Sequence, residues 1–188
     1  MDAFLISTGL VFLAELGDKS QLMAMTFAAR YRAATILAAI AVSTALVHLV
    51  SVVLGAAVGM ALPTDAISVV AGLAFLAFAA WTVRGDRLDD DDVTRAGRTT
   101  RSVFLTVGLA FFLAELGDKT MLATVTLATD NGLVGTWTGS TIGMVAADAL
   151  AILVGHQLGA RLPERAIRIG AAVIFVAFGV YLIAGSTS

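Results

Sequence analysis

Two short stretches hold most of the reactive side chains that an apolar interior could use. Glu15-Leu16-Gly17-Asp18-Lys19-Ser20 returns as Glu115-Leu116-Gly117-Asp118-Lys119-Thr120. A spacing of three predicts that Glu15 and Asp18 share one face of a helix, and Glu115 and Asp118 likewise. Four carboxylates facing one another repel, and three neutralisers compete for their oxygens. Protons can bind them. The two lysines can pair with them. A divalent cation can take them as ligands. Metal binding then expels protons and protonation expels metal. The four carboxylates titrate as a coupled group, and the chemistry they support is exchange of a metal ion for protons.

Each motif falls near the middle of a long apolar segment. A charged residue at that depth in a bilayer costs about 2.5–3.5 kcal/mol, so the six charges of the two motifs together cost roughly 15–20 kcal/mol if the terms add. A small chain does not carry that for packing alone. Lys19 and Lys119 are either internal partners of the acids or built-in surrogate cations that occupy an empty site. Gly17 and Gly117 admit local unwinding, which frees backbone carbonyls for a cation, or close helix packing. Ser20 and Thr120 can offer a hydroxyl ligand or bond back to their own helix. Gln21 is a candidate amide ligand. His48 and Asp148 occupy equivalent repeat positions at about the depth of the motifs. With Lys19 and Lys119 they are candidates for a proton relay or an extra ligand. Met23, Met25 and Met121 are read as core filler.

The elements that must position these residues follow from the apolar pattern. Hydrophobic residues make up 59% of the chain and charged residues 14%, well away from the composition of a soluble domain. Apolar segments run from Ala3 to Ala29, Ala33 to Leu62, Ala66 to Val83, Ser102 to Thr129, Leu133 to Leu162 and Ala166 to Ala184. The runs are continuous rather than alternating and long enough to cross a bilayer, so they predict helices and not a barrel. The expected fold is all-α and polytopic, with six transmembrane helices. Residues 1–84 form a first three-helix repeat, 85–101 a charged cytoplasmic loop and 102–188 a second repeat. The offset of 100 continues without a gap through Gly55 and Gly155, Pro63 and Pro163, Phe75 and Phe175, and Phe78 and Phe178. An odd number of helices per repeat turns the second copy upside down, so the motifs of two inverted repeats can meet near the midplane.

Arginine sets the orientation. Arg30 and Arg32 lie in the first loop, Arg84, Arg87, Arg95, Arg98 and Arg101 at or in the third, and Arg161, Arg165 and Arg168 around the fifth. The second and fourth loops and both tails have no Lys or Arg. The odd loops are then cytoplasmic and both termini lie outside. The segment from Phe4 has no basic n-region and continues into the first motif, so it is expected to remain as a membrane helix. The run Asp89-Asp90-Asp91-Asp92 reads as a solvated linker. The chain has no cysteine, which excludes disulfides, thiolate zinc sites and iron–sulfur clusters. A net charge of −2 without a basic patch gives no reason to expect nucleic acid.

The doubled Glu-x-Gly-Asp-Lys-Ser/Thr motif resembles the hallmark of the Gdt-type family of cation/proton antiporters, and the resemblance covers almost the whole chain. It implies exchange of manganese or calcium for protons, with Glu15, Asp18, Glu115 and Asp118 as the cation site. Eukaryotic relatives serve Golgi-type compartments, and short bacterial ones resemble manganese exporters of the plasma membrane. The expectation is therefore a secondary transporter, not an enzyme. It exports manganese, with calcium as second choice, by alternating access as one repeat rocks against the other. No cofactor is expected. The partners are the metal ion, protons and the bilayer, and the protein is a monomer or homodimer. A passive cation channel, an exporter of a small organic cation and an intramembrane aspartyl protease are the rival readings.

Overall fold

The computed structural model describes residues 2–84, 102–129, 131–158 and 164–185. The charged linker 85–101, with Asp89–Asp92, and Arg161 lie outside them. Every element among the described residues is helical. The first repeat contributes α1 (Asp2–Glu15), α2 (Lys19–Ala28), α3 (Ala33–Ala61) and α4 (Thr64–Arg84). The second contributes α5 (Val103–Glu115), α6 (Lys119–Ala128), α7 (Leu133–Leu158) and α8 (Glu164–Gly185). The stretches Ala33–Ala61, Asp65–Arg84 and Leu133–Val154 are each long and apolar enough to cross a membrane. On α3, Val42, Leu46, Leu49, Val50, Val53 and Leu54 stand 44–58% exposed. An outward apolar face of this extent suits hydrocarbon as the surrounding solvent.

The first and fourth apolar segments are not single helices, as their unbroken hydrophobicity predicts. Each is cut at its motif. Asp18 N–H donates to the Glu15 carbonyl at 3.0 Å and Asp118 N–H to that of Glu115 at 3.2 Å. Leu116 adopts φ −65°, ψ 114°, and Gly17 and Gly117 adopt φ 78° and 79°. These values describe a type II turn, whose third position needs a positive φ that glycine alone takes without steric cost. Of the two readings of these glycines, unwinding is the one the backbone adopts.

The dominant packing joins one half of the chain to the other. Helix α1 lies along α7, α3 along α5, α6 and α7, and α4 along α8. A Cβ added to Gly135, Gly139 or Gly143 would meet Ala3, then Phe4 and Ser7, then Thr8 and Phe12. Position rises together on both helices, so α1 and α7 run parallel with their backbones close. Gly72 faces Ile183, and Gly179 faces Leu76, so α4 and α8 run antiparallel. Phe75, Phe78, Phe175 and Phe178 interleave between them, with Phe75 edge-on to Phe178 at 4.9 Å between ring centroids. Helices α3 and α7 meet where Thr44 Oγ1 donates to Met144 Sδ at 3.3 Å, a contact between equivalent positions of the two repeats. The site is thereby fixed at the join between halves, not inside either one.

Candidate functional site

The two breaks lie in the buried centre. Glu15, Asp18, Glu115 and Asp118 are 0%, 1%, 1% and 4% exposed. Within each motif the carboxylates do not share a helix face as spacing alone suggests. Glu15 ends α1, Asp18 sits at the N-cap of α2, and the turn brings the two together. An aspartate at an N-cap ordinarily bonds the amides of the first turn, and forgoing that bond costs about 1 kcal/mol. Neither Asp18 nor Asp118 makes it. The Asp18 carboxylate instead takes bonds from Lys119 and, at 3.2 Å, from the Ser20 hydroxyl. The positive ends of α2 and α6 face these anions. The last carbonyls of α1 and α5 give the same region oxygen atoms and a negative end suited to a cation.

Each glutamate is half satisfied. Ser20 donates to Glu15 Oε1 and Thr120 donates to Glu115 Oε2, the latter at 2.7 Å. Glu15 Oε2 and Glu115 Oε1 have no partner among the described residues. Ser20 and Thr120 therefore orient the acids, and neither bonds back to its helix. Asp148, fully buried on α7, has both carboxylate oxygens without a partner among the described residues. It lies within electrostatic reach of Glu15, Asp18 and Glu115. The cluster is thus five carboxylates drawn from both halves. Leaving a charged oxygen buried and unpaired is among the costliest choices a fold makes.

One ammonium group stands among them. Lys119 bonds Asp18 across the repeat boundary and is attracted by Glu15 and Asp118 as well. Lys19, at the equivalent position, is half-buried and joins no ion pair among the described residues. The repeats are alike in sequence here but not in conformation. With the lysine inside, no three carboxylate or imidazole groups among the described residues stand at metal-ligating distance. The carboxylates are buried from solvent, and Lys119 is paired with one of them.

Sequence reasoning pairs His48 with Asp148, but the two sit in different surroundings. His48 is 1% exposed, its Nδ1 lies 3.5 Å from the Thr141 hydroxyl and its Nε2 has no partner among the described residues. Gln21 links the first break to α7: its Oε1 accepts from Gly17 N–H at 2.8 Å and its Nε2 donates to the Ala147 carbonyl at 2.9 Å. In the other half Met121 Sδ takes the corresponding bond from Gly117 N–H at 3.1 Å. That contact is absent from the sequence reading, where Met121 is filler; its place in the motif, level with Gln21, is the signal that marks it.

The arrangement gathers buried acidic side chains from both halves of the chain around one lysine. The model of the family described as "Divalent cation/proton antiporter GDT1" matches residues 3–90 and 103–188. A Vibrio cholerae protein whose name proposes it as a manganese exporter is 35% identical over 94% of this chain and 88% of its own length. The divalent cation/proton antiporter GDT1 of Saccharomyces cerevisiae is 24% identical over 97% of this chain and 84% of its own. Protein PAM71, chloroplastic, of Arabidopsis thaliana is 30% identical over 93% of this chain, which spans 55% of that protein. No solved structure matches the chain. A membrane-suited helical fold, a buried acidic centre and a family match over nearly every residue agree, and the chain belongs to the GDT1 family of divalent cation/proton antiporters.

Proposed function

We propose that this protein exports manganese from a bacterial cytoplasm in exchange for protons, with calcium as the second candidate cargo. The observation that carries the reading is the convergence of Glu15, Asp18, Glu115, Asp118 and Asp148 from both halves around Lys119, with oxygens on Glu15, Glu115 and Asp148 left unpaired. In the metal-bound state Glu15, Asp18, Glu115 and Asp118 take the ion, and Asp148 supplies an additional oxygen. All-oxygen ligation suits manganese and calcium and disfavours soft ions. The name of the Vibrio relative favours manganese.

The two halves act as inverted three-helix repeats, α1–α2 and α5–α6 each serving as one broken span. Antiparallel pairing of the equivalent helices α4 and α8 supports this, as does the contact of Thr44 with Met144. Arg30 and Arg32 put the start of α3 on the cytoplasmic side and both termini outside. Because the main contacts cross between halves, alternation proceeds by sliding of helix pairs, α1 on α7 and α5 on α3, rather than by parting of two separate repeats.

The test is manganese flux in proteoliposomes with and without an imposed pH gradient, for the wild type and for Glu15→Gln and Asp118→Asn. Flux that follows the gradient and collapses in both variants is expected. Undiminished flux in both removes the proposed site, and flux indifferent to the gradient makes the protein a channel.

A further inference from the structure

The two repeats differ where they approach the site from opposite ends. At the end marked by Arg30–Arg32, Ile36, Ile40, Val107 and Phe111 are fully buried and pack with Phe27 and Ala28 in one apolar cluster. Subtracting or adding the repeat offset gives their counterparts at the other end: Thr136, Ser140, Ser7 and Val11. Three apolar side chains are thus replaced by hydroxyls, all 0% exposed.

None of these three hydroxyls has a hydrogen-bond partner among the described residues. That is not how this chain usually treats a helical Ser or Thr. Thr8, Ser51, Thr124, Thr138 and Thr141 each bond the carbonyl four residues back. Only four buried hydroxyls among the described residues lack a partner, and three of them are Ser7, Thr136 and Ser140. An unsatisfied buried hydroxyl costs about 1–3 kcal/mol, and the repeat shows that isoleucine and valine serve for packing at the same positions.

The three are also contiguous. Gly139 lies between Thr136 and Ser140 on one stripe of α7, and a Cβ there would meet Ser7. Along the same stripes, four residues apart, Ser7 leads through Val11 to Glu15, and Ser140 leads through Met144 to Asp148. Val11 and Met144 are fully buried, so the stripes are closed one turn short of the carboxylates in this state.

We propose that Ser7, Thr136 and Ser140 line the hydrated route by which protons and the divalent cation pass between the carboxylate cluster and the end of the molecule holding the α1 and α7 N-termini. In the open state their hydroxyls bond water or the ion's hydration shell. Val11 and Met144 form the constriction, and Ile36, Ile40, Val107 and Phe111 form a dry gate at the opposite end. The two ends are then gated by different chemistry built into the sequence. This proposal rests on the carboxylate cluster being the exchange site.

A chain without cysteine permits a clean test. Single cysteines at Ser7, Thr136 and Ser140, and at the counterparts Val107, Ile36 and Ile40, are exposed to a small membrane-impermeant thiol reagent applied to either face of sealed vesicles. The hydroxyl-position cysteines are expected to react from the α1 N-terminal face at least about tenfold faster than their counterparts do from the other face. In parallel, the triple variant Ser7→Ala, Thr136→Val, Ser140→Ala is expected to slow exchange by about tenfold while equilibrium manganese binding stays within about twofold, the pattern of a lost path rather than a lost site. If the wild type exchanges metal while the three cysteines are inert and the triple variant keeps wild-type flux, the route is refuted and the site stands. If the wild type binds no metal, the site reading falls and the route falls with it.

Discussion

The Lys119 ammonium rests on the Asp18 carboxylate of the other half of the chain, with side-chain exposures of 5% and 0%. An ion pair this deep is costly to break from one side, about 3–5 kcal/mol, because the survivor is left charged and alone. Lys119→Met is expected to lower the melting temperature of the metal-free protein, and saturating manganese should restore most of the loss by supplying the missing positive charge. The metal-induced shift is therefore larger in the variant than in the wild type. Lys19→Met, at a half-buried position with no ion pair among the described residues, should leave both readings nearly unchanged. Thermal unfolding in detergent with and without manganese decides it. Equal shifts in wild type and Lys119→Met would show that Lys119 is not a stand-in for the ion.

Gln21 ties the first break to α7 by two bonds, one to Gly17 and one to Ala147 beside Asp148. Gln21→Met copies the residue that serves the second break. It keeps an acceptor for Gly17 and loses the link to α7, at a cost of about 1–3 kcal/mol. The expected result is a lower melting temperature with manganese affinity within about threefold of wild type, since the amide holds backbone and not cargo. A loss of affinity beyond tenfold, with stability unchanged, would make Gln21 a ligand after all.

Much of this architecture is legible in the residues. Charges recurring at one depth in both repeats mark the centre, and Phe75, Phe78, Phe175 and Phe178, matched by offset, meet in space. Three features are not legible, for separate reasons. The break after Glu15 hides within a continuous apolar run, since hydropathy measures side chains and a type II turn is a property of backbone angles. The inequality of Lys19 and Lys119 cannot be read from two copies of one motif. It depends on the packing around each lysine, which the motif itself does not encode. The pairing of His48 with Asp148 by position likewise overlooks local surroundings. The same step of the repeat carries Asp148 to the carboxylates and leaves His48 beside Thr141.

The breaks themselves can be tested by backbone chemistry. At φ 78° and 79°, a Cβ on residue 17 or 117 costs about 1–2 kcal/mol. Gly17→Ala and Gly117→Ala should each destabilise the protein and slow exchange, because the turn delivers both carboxylates of its motif to the site. Asn tolerates the left-handed region better than Ala, so Gly117→Asn should recover part of the flux. Flux measured across Gly, Asn and Ala should fall in that order. An alanine variant as active as wild type would mean the turn is dispensable.

Proton competition fixes the sign of the pH response. On the proposed site, metal and protons claim the same carboxylate oxygens, so each bound manganese ion would release the protons those oxygens held. Acidification refills the site with protons and weakens apparent metal affinity, and alkalinisation strengthens it. The slope of log affinity against pH equals the number of protons released per ion. Manganese titration over a pH series should give a positive slope, and release of protons into weakly buffered solution should match it. Glu15→Gln removes one competing oxygen pair, so both the slope and the released protons should fall together. A flat slope in the wild type would separate metal binding from proton binding. The cluster of Glu15, Asp18, Glu115, Asp118 and Asp148 could then not couple the two ions, whatever flux it supports.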